Sequence, residues 1–228
     1  MDTLWHGLIK AFELIFTLDP EVIQIATRSL SIALTSAVLA SVICIPLAGL
    51  IHFNQFRGKR FLVSLIQTFY SVPTVAVGLF VFVFISHAGP LGFLSILFTP
   101  MAIVVGQVIL ITPILLGLTI SALRGVDNTI LDTARSLGAS RFQMAVLVIK
   151  EARFAVMAAV IMGFGRAISE VGISLMVGGN IRGFTRVITT AISLETSKGD
   201  IELSLALGII LIFIALVVNI IMNRIQQR

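Results

Sequence analysis

Five stretches of this chain, at about 27–51, 61–86, 100–122, 154–177 and 204–222, are long and apolar enough to cross a bilayer. A membrane helix needs roughly 20 mainly apolar residues to span the hydrocarbon core. Lipid offers the backbone no water, so such runs must be helices that pair their own N–H and C=O groups. The chain is therefore expected to be an all-α integral membrane protein. Composition agrees, with 57% of residues hydrophobic and 12% charged, against about a quarter charged in soluble domains. Its 228 residues contain no Pro/Gly/Ser-rich linker and read as one domain over 23–225, preceded by a short segment over 1–22.

In that first segment, Leu4–Leu18 carries His6, Lys10 and Glu13, with Trp5, Leu8, Ile9, Phe12, Ile15 and Phe16 at helical spacing. The pattern predicts a helix lying at the interface; a sixth, poorly formed span is the alternative. Asp2 stands where a secretory leader would be basic, and no small-residue cleavage site follows, so no cleaved leader is expected.

The net charge of +5 does not point to nucleic acid, because the basic residues fall in short loops between apolar runs. One set of loops holds Arg57, Lys59, Arg60, Arg124, Arg135, Arg141, Lys150, Arg153, Arg224 and Arg228. The opposite set holds Lys10, Arg28, Arg182, Arg186 and Lys198. Cytoplasmic loops carry the excess of Lys and Arg, so the N-terminus is expected outside and the C-terminus in the cytoplasm. The single cysteine, Cys44, lies inside an apolar run and reads as a small core residue. His6, His52 and His87 are far apart and form no metal-ligand spacing, so no metal site is expected. No G-x-x-x-x-G-K-[ST] phosphate loop is present, so any ATP must be bound by another polypeptide.

Pro46, Pro73 and Pro113 and the glycines at 49, 78, 106, 117, 163, 165 and 172 lie within or near the runs. They fit either close helix packing or kinks that line a pathway. Both imply a packed bundle rather than a lone anchor.

Leu123–Arg153 is too polar to span and too long for a turn. Asp127 can cap a helix start, Ile130, Leu131, Ala134, Leu137 and Phe142 recur at helical spacing, and Asp132 and Arg135 are neighbours at i, i+3. Gly138 breaks the pattern and Ser140 can cap a second helix. The expectation is a short helix, a glycine turn and another helix leading into the fourth span.

The run Asp132-Thr133-Ala134-Arg135-Ser136-Leu137-Gly138-Ala139-Ser140-Arg141-Phe142 resembles the EAA loop of binding-protein-dependent ABC importer permeases. The acidic, Ala and Gly positions match. Asp stands for Glu, Thr133 for Ala, and Val148-Ile149-Lys150-Glu151 replaces the usual Ile-x-Leu-Pro. The resemblance implies a type I ABC importer permease bundle whose short helix, with Asp132, Thr133, Ala134, Gly138, Ala139 and Arg141, couples to an ATPase subunit.

In the fourth run, Arg166 and Glu170 sit at i, i+4 with Ser169 and Ser174 nearby. Intramembrane charges are costly, so they face protein or water and have a partner. Two readings stand: an ion pair that fixes helix packing, or part of a gate or pathway. Gly165-Arg166-Ala167-Ile168-Ser169-Glu170-Val171-Gly172, continuing through Met176-Val177-Gly178-Gly179-Asn180-Ile181, resembles the molybdate, tungstate and sulfate branch of these permeases. Lys150-Glu151-Ala152-Arg153-Phe154 and Leu194-Glu195-Thr196-Ser197-Lys198-Gly199-Asp200 are most similar to its tungstate permeases.

That resemblance implies import of tungstate by alternating access, with molybdate, sulfate or an amino acid as alternative substrates. It also implies partners: a second copy of the chain, ATPase subunits that bind ATP and Mg, and an extracytoplasmic tungstate-binding protein. A self-sufficient channel or secondary transporter leaves the Leu123–Arg153 loop without a purpose. Gly178, Gly179, Asn180, Arg182 and Arg186 lie on the external side and would meet the binding protein or the entering anion, or would form a plain turn. No enzymatic activity, cofactor in this chain or regulatory domain after Arg228 is expected.

Overall fold

The computed structural model describes residues 2–17 and 19–226. A first helix, α1 (Asp2–Phe16), is followed by α2 (Pro20–Phe53), α3 (Lys59–Thr68), α4 (Thr74–Ile85) and α5 (Pro100–Arg124). Next come α6 (Asn128–Ser136), α7 (Arg141–Glu151), α8 (Arg153–Ile168), α9 (Gly172–Gly178), α10 (Ile188–Lys198) and α11 (Ile201–Gln226). No strand occurs among the described residues.

The longest helix is set by its start and by one seam. Asp19 caps α2 by accepting the amides of Glu21 and Val22, each at 3.0 Å, and Pro20 fills the first position, where a missing N–H costs nothing. At about 1.5 Å per residue its 34 residues reach about 51 Å, beyond the hydrocarbon thickness. Ala33, Ala37, Ala40, Cys44 and Ala48 recur every three or four residues and are all buried. Small side chains at that spacing let backbones approach closely, and the seam packs against Ile111, Leu115 and Ile120 of α5 and Phe164 and Ala167 of α8. Val38, Val42 and Ile43, between the seam positions, stay exposed.

α5 is the central helix. In its apolar window 61% of residues are buried, against 17% in α11. A Cβ on Gly106 would collide with Cγ2 of Ile173, and one on Gly163 would lie 3.1 Å from Leu115. The packing role expected of the glycines is realised at these positions.

The five expected spans are present in a modified form. Among the described residues, only α2, α5 and α11 run uninterrupted at spanning length. The stretch 61–86 is split into α3 and α4, which meet at 100°, and the stretch 154–177 into α8 and α9, which meet at 58°. Pro73 explains the first break: it offers no N–H and pushes Val72 out of the helical region, to φ −63°, ψ 131°. The second break has no proline. There Ser169 turns its hydroxyl back onto the carbonyl of Gly165 at 2.9 Å, a bond that competes with the helix ladder.

α1 has 15 residues, about 22 Å, too short to cross a bilayer of about 30 Å. It packs on α11, with Gly7 against Leu205, and exposes Trp5, Leu8, Ile9, Phe12 and Phe16. The expected helix extends to Leu18, which lies outside the described residues. α10 falls between the expected spans, where the sequence suggests no helix; its Ile188, Thr189, Thr190 and Ala191 are buried.

Candidate functional site

The break between α8 and α9 gathers the polar groups of the bundle's interior. An interrupted helix leaves carbonyls and amides without ladder partners, and in an apolar interior each must be satisfied from elsewhere. Gln107 of α5 donates its amide to the carbonyl of Ala167 at 3.0 Å, and its oxygen lies 3.0 Å from the hydroxyl of Ser36 on α2. Glu170 accepts the amide of Ile173 at 3.1 Å and so caps the start of α9. Its own carbonyl accepts from Thr189 of α10 at 2.8 Å and from Ser174 at 3.2 Å.

Arg166 and Glu170 form an ion pair, Nη1 to Oε2 at 3.0 Å. The pair is asymmetric: the Glu170 side chain is 2% exposed, whereas that of Arg166 is 34% exposed. The carboxylate is held inside while the guanidinium reaches the surface of the bundle. Of the residues expected here, Arg166, Ser169, Glu170 and Ser174 all lie at the break. Ser36, Gln107 and Thr189 belong to the same network and escape the sequence reading. A lone glutamine in the middle of the 100–122 run is the available signal.

At one end of α2, Glu21, Arg182 and Arg186 are tied together. Arg182 binds Glu21 through Nε at 2.9 Å and through Nη2, and Arg186 lies 3.5 Å from the same carboxylate. The Glu21 carboxylate raises the guanidinium pKa of Arg182. Arg28 donates to the carbonyls of Gly183 at 2.7 Å and Arg186 at 3.2 Å. Gly179, at φ +71°, packs against the Phe98 ring, and Thr185 accepts the amide of Ile181 at 2.9 Å. The loop carrying Gly178, Gly179, Asn180, Arg182 and Arg186 is thus a rigid structure whose arginines already have internal partners.

At the other end of α2, the 123–153 region forms the expected helix, turn and helix. Asp127 accepts the amide of Thr129 at 2.9 Å, which holds its carboxyl below the usual aspartate range. Gly138, at φ +77°, ends α6, with the amides of Gly138 and Ala139 bonded to the carbonyls of Arg135 and Ala134 at 3.0 Å each. Ser140 and Gln143 form a reciprocal capping box that starts α7. Asp132 and Arg135 pair at 2.9 Å, and Ala134 is buried. Thr133 and Arg141 are exposed, and so are Leu137 and Phe142, which are apolar yet 83% and 78% exposed. α7 passes into α8 through Ala152 alone, and Val148 and Ala152 are buried in the core.

Among the described residues no group of three or more His, Cys, Asp or Glu side chains could hold a metal. Nothing at the break resembles a nucleophile with its base; it is a neutralised polar joint inside an apolar bundle.

Comparison with known proteins agrees with this geometry. Residues 37–228 match the family described as binding-protein-dependent transport system inner membrane component. The chain is 37% identical over 227 residues, all of both chains, to the tungstate uptake system permease protein TupB of Peptoclostridium acidaminophilum. It is 39% identical over 211 residues to a probable anion ABC transporter permease protein of Haloferax volcanii, covering 90% of this chain and 91% of that one. Among solved structures, a bacterial alginate ABC transporter in complex with its alginate-bound periplasmic protein superposes with a TM-score of 0.77 at 19% identity, covering 100% of this chain and 87% of that one. The MetNI methionine ABC transporter in an inward-facing form gives 0.74 at 14% identity, covering 92% and 97%. An all-helical bundle with a broken fourth span, matched by that family model over most of its length, identifies the chain as a multi-pass membrane permease subunit of the binding-protein-dependent transport system inner membrane component family.

Proposed function

We propose that this chain is the membrane-spanning subunit of a tungstate importer driven by a separate ATPase. The observation that carries the reading is the 37% identity to a tungstate uptake permease along the full length of both chains. Residues 23–225 form the transport domain, and 1–22 flank it. The face bearing α6 is cytoplasmic, because it collects Arg57, Lys59, Arg60, Arg124, Arg135, Arg141, Lys150 and Arg153. The N-terminus is then outside and the C-terminus inside.

The mechanism follows from how the pieces connect. α6 and its turn, with Asp132, Thr133, Ala134, Gly138, Ala139 and Arg141, seat in a groove of the ATPase subunit, and the exposed Leu137 and Phe142 supply apolar contact. ATP and Mg are bound by that partner. A displacement of α6 reaches α7, then α8 through Ala152, and arrives at the joint formed by Arg166, Ser169, Glu170 and Ser174. A bend between rigid segments is a suitable hinge for opening and closing a path. Arg166, half-buried and retaining donors beyond its single bond to Glu170, offers a cation to a passing oxyanion. A second copy of the chain completes the pathway, and the rigid 178–186 loop meets the extracytoplasmic binding protein.

The test is ATP-dependent accumulation of tungstate in liposomes holding this chain, its ATPase and its binding protein, with molybdate and sulfate as competitors. Selective tungstate uptake is expected. ATP-dependent uptake of molybdate in preference would favour the second reading, which rests on 31% identity over 70% of this chain to a molybdate/tungstate permease of Pyrococcus furiosus. Tungstate flux without ATP would overturn the coupling mechanism.

A further inference from the structure

Four basic side chains, Lys59, Arg60, Arg124 and Arg135, line one cavity of about 650 Å³ at the α6 end of the bundle, and no acidic residue lines it. Two of the four are engaged. Lys59 Nζ donates to the carbonyls of His52 at 2.7 Å and Asn54 at 3.1 Å, closing the end of α2, and Arg135 pairs with Asp132. Arg60 and Arg124 have no acidic partner among the described residues. Arg124 also repels Lys59 across the space.

The charge excess of a cytoplasmic face requires basic residues in its loops, but it does not require them to share one concave space without a counter-ion. Such an arrangement is relieved by an anion. The cavity's position narrows the choice. It lies where α2 and α5 end and α3 begins, the level at which spans leave the hydrocarbon, and the aromatic rings of Phe53 and Phe56 are in its wall. A basic, aromatic-rimmed pocket between helices at that depth suits a lipid headgroup.

We propose that this cavity binds the headgroup phosphate of an anionic phospholipid, held by Arg60 and Arg124. The bound lipid bridges α3, α5 and α6 and so ties the coupling helix to the spans. The inference uses the orientation proposed above only to call this face cytoplasmic; the cavity and its charges do not depend on it, nor on the substrate.

The experiment is native mass spectrometry of the purified full-length chain in neutral detergent, with phosphatidylglycerol or phosphatidylcholine added. Wild type is expected to retain phosphatidylglycerol selectively. The Arg60→Gln/Arg124→Gln double variant is expected to lose that retention by roughly 10–30-fold, as two cations near an anionic headgroup are removed. Arg57→Gln, three positions before Arg60 but outside the cavity, should bind as wild type, and Arg60→Lys/Arg124→Lys should keep most of the affinity. Equal retention of the two lipids, or full retention by the glutamine variant, overturns the proposal. Binding of inorganic phosphate that needs both arginines, without any lipid preference, also overturns it and gives the site to a soluble anion.

Discussion

Gln107 occupies the position that a backbone amide would hold in an unbroken helix: its side chain donates 3.0 Å to the carbonyl of Ala167, which an uninterrupted ladder would pair with Val171. The substitution Gln107→Leu keeps the volume and removes the donor. Gln107 is 3% exposed, so water does not replace the lost donor, and the carbonyl keeps only the amide of Glu170 at 3.2 Å. The expected cost is about 1 kcal/mol, because a lost buried partner is expensive but membrane hydrogen bonds fall at the low end of the range. Thermal unfolding of the full chain in detergent checks this, and an unchanged midpoint would show that the joint does not need the bond.

The Arg166–Glu170 pair should respond unequally to its two deletions. Arg166→Gln leaves a buried carboxylate without its cation, whereas Glu170→Gln leaves a guanidinium that is already 34% exposed. Removing one partner of a buried pair costs about 3–5 kcal/mol, and only the first variant fits that case. Arg166→Gln is therefore expected to lower the unfolding midpoint more, and the double variant to recover part of the loss. Equal losses from both single variants would contradict the asymmetry.

Gly138 should be intolerant for conformational rather than steric reasons. A Cβ at this position would meet nothing within 4 Å, yet the backbone φ is +77°. A β-carbon in the left-handed region costs about 1–2 kcal/mol. Gly138→Val is expected to unwind the end of α6 and abolish ATP-coupled uptake while the bundle still inserts; Gly138→Asn, which tolerates this φ, should retain much of it. Asp132→Lys, which places a cation beside Arg135, should also lose coupling. Normal uptake by Gly138→Val and Asp132→Lys would falsify the assignment of α6 as the coupling element.

The cap of α6 should be sensitive to acid. The amide of Thr129 favours the ionised form of Asp127 and lowers its pKa in the folded state. A carboxyl with a lowered folded pKa contributes stability above its unfolded pKa and loses it as pH falls through the folded one. Hydrogen exchange of residues 128–131 is therefore expected to speed up as pH drops below the ordinary aspartate range, after correction for intrinsic rates. Asp127→Asn, which caps without titrating, should remove that dependence. A dependence that persists in the variant would point to another group.

What the sequence disclosed follows the range of the interactions. The spans and the α6 turn rest on local signals: hydropathy over about 20 residues, a cap at Asp127, a glycine at 138 and a capping box at Ser140. The two bends are less visible. Pro73 is plain in the sequence, but its effect depends on whether neighbours satisfy the freed backbone, and the 169–171 break has no proline at all. α10 escapes notice because Thr189 and Thr190 are buried by contacts with distant segments rather than by an apolar period of their own. The arginines after α9 illustrate the same limit: Arg182 is separated from Glu21 by 161 positions, and nothing near either residue announces the pairing.

The seam of α2 has a mechanical side. Methyl-sized groups at Ala33, Ala37, Ala40 and Ala48 present a surface of low relief to α5 and α8. Long interlocking side chains must leave their rotamers before two helices can slide, but a smooth track imposes little such resistance. Residue for residue, α2 is thus built as a rail: stiff over its length, anchored at Glu21 and at Lys59, and smooth along the side that faces the broken span.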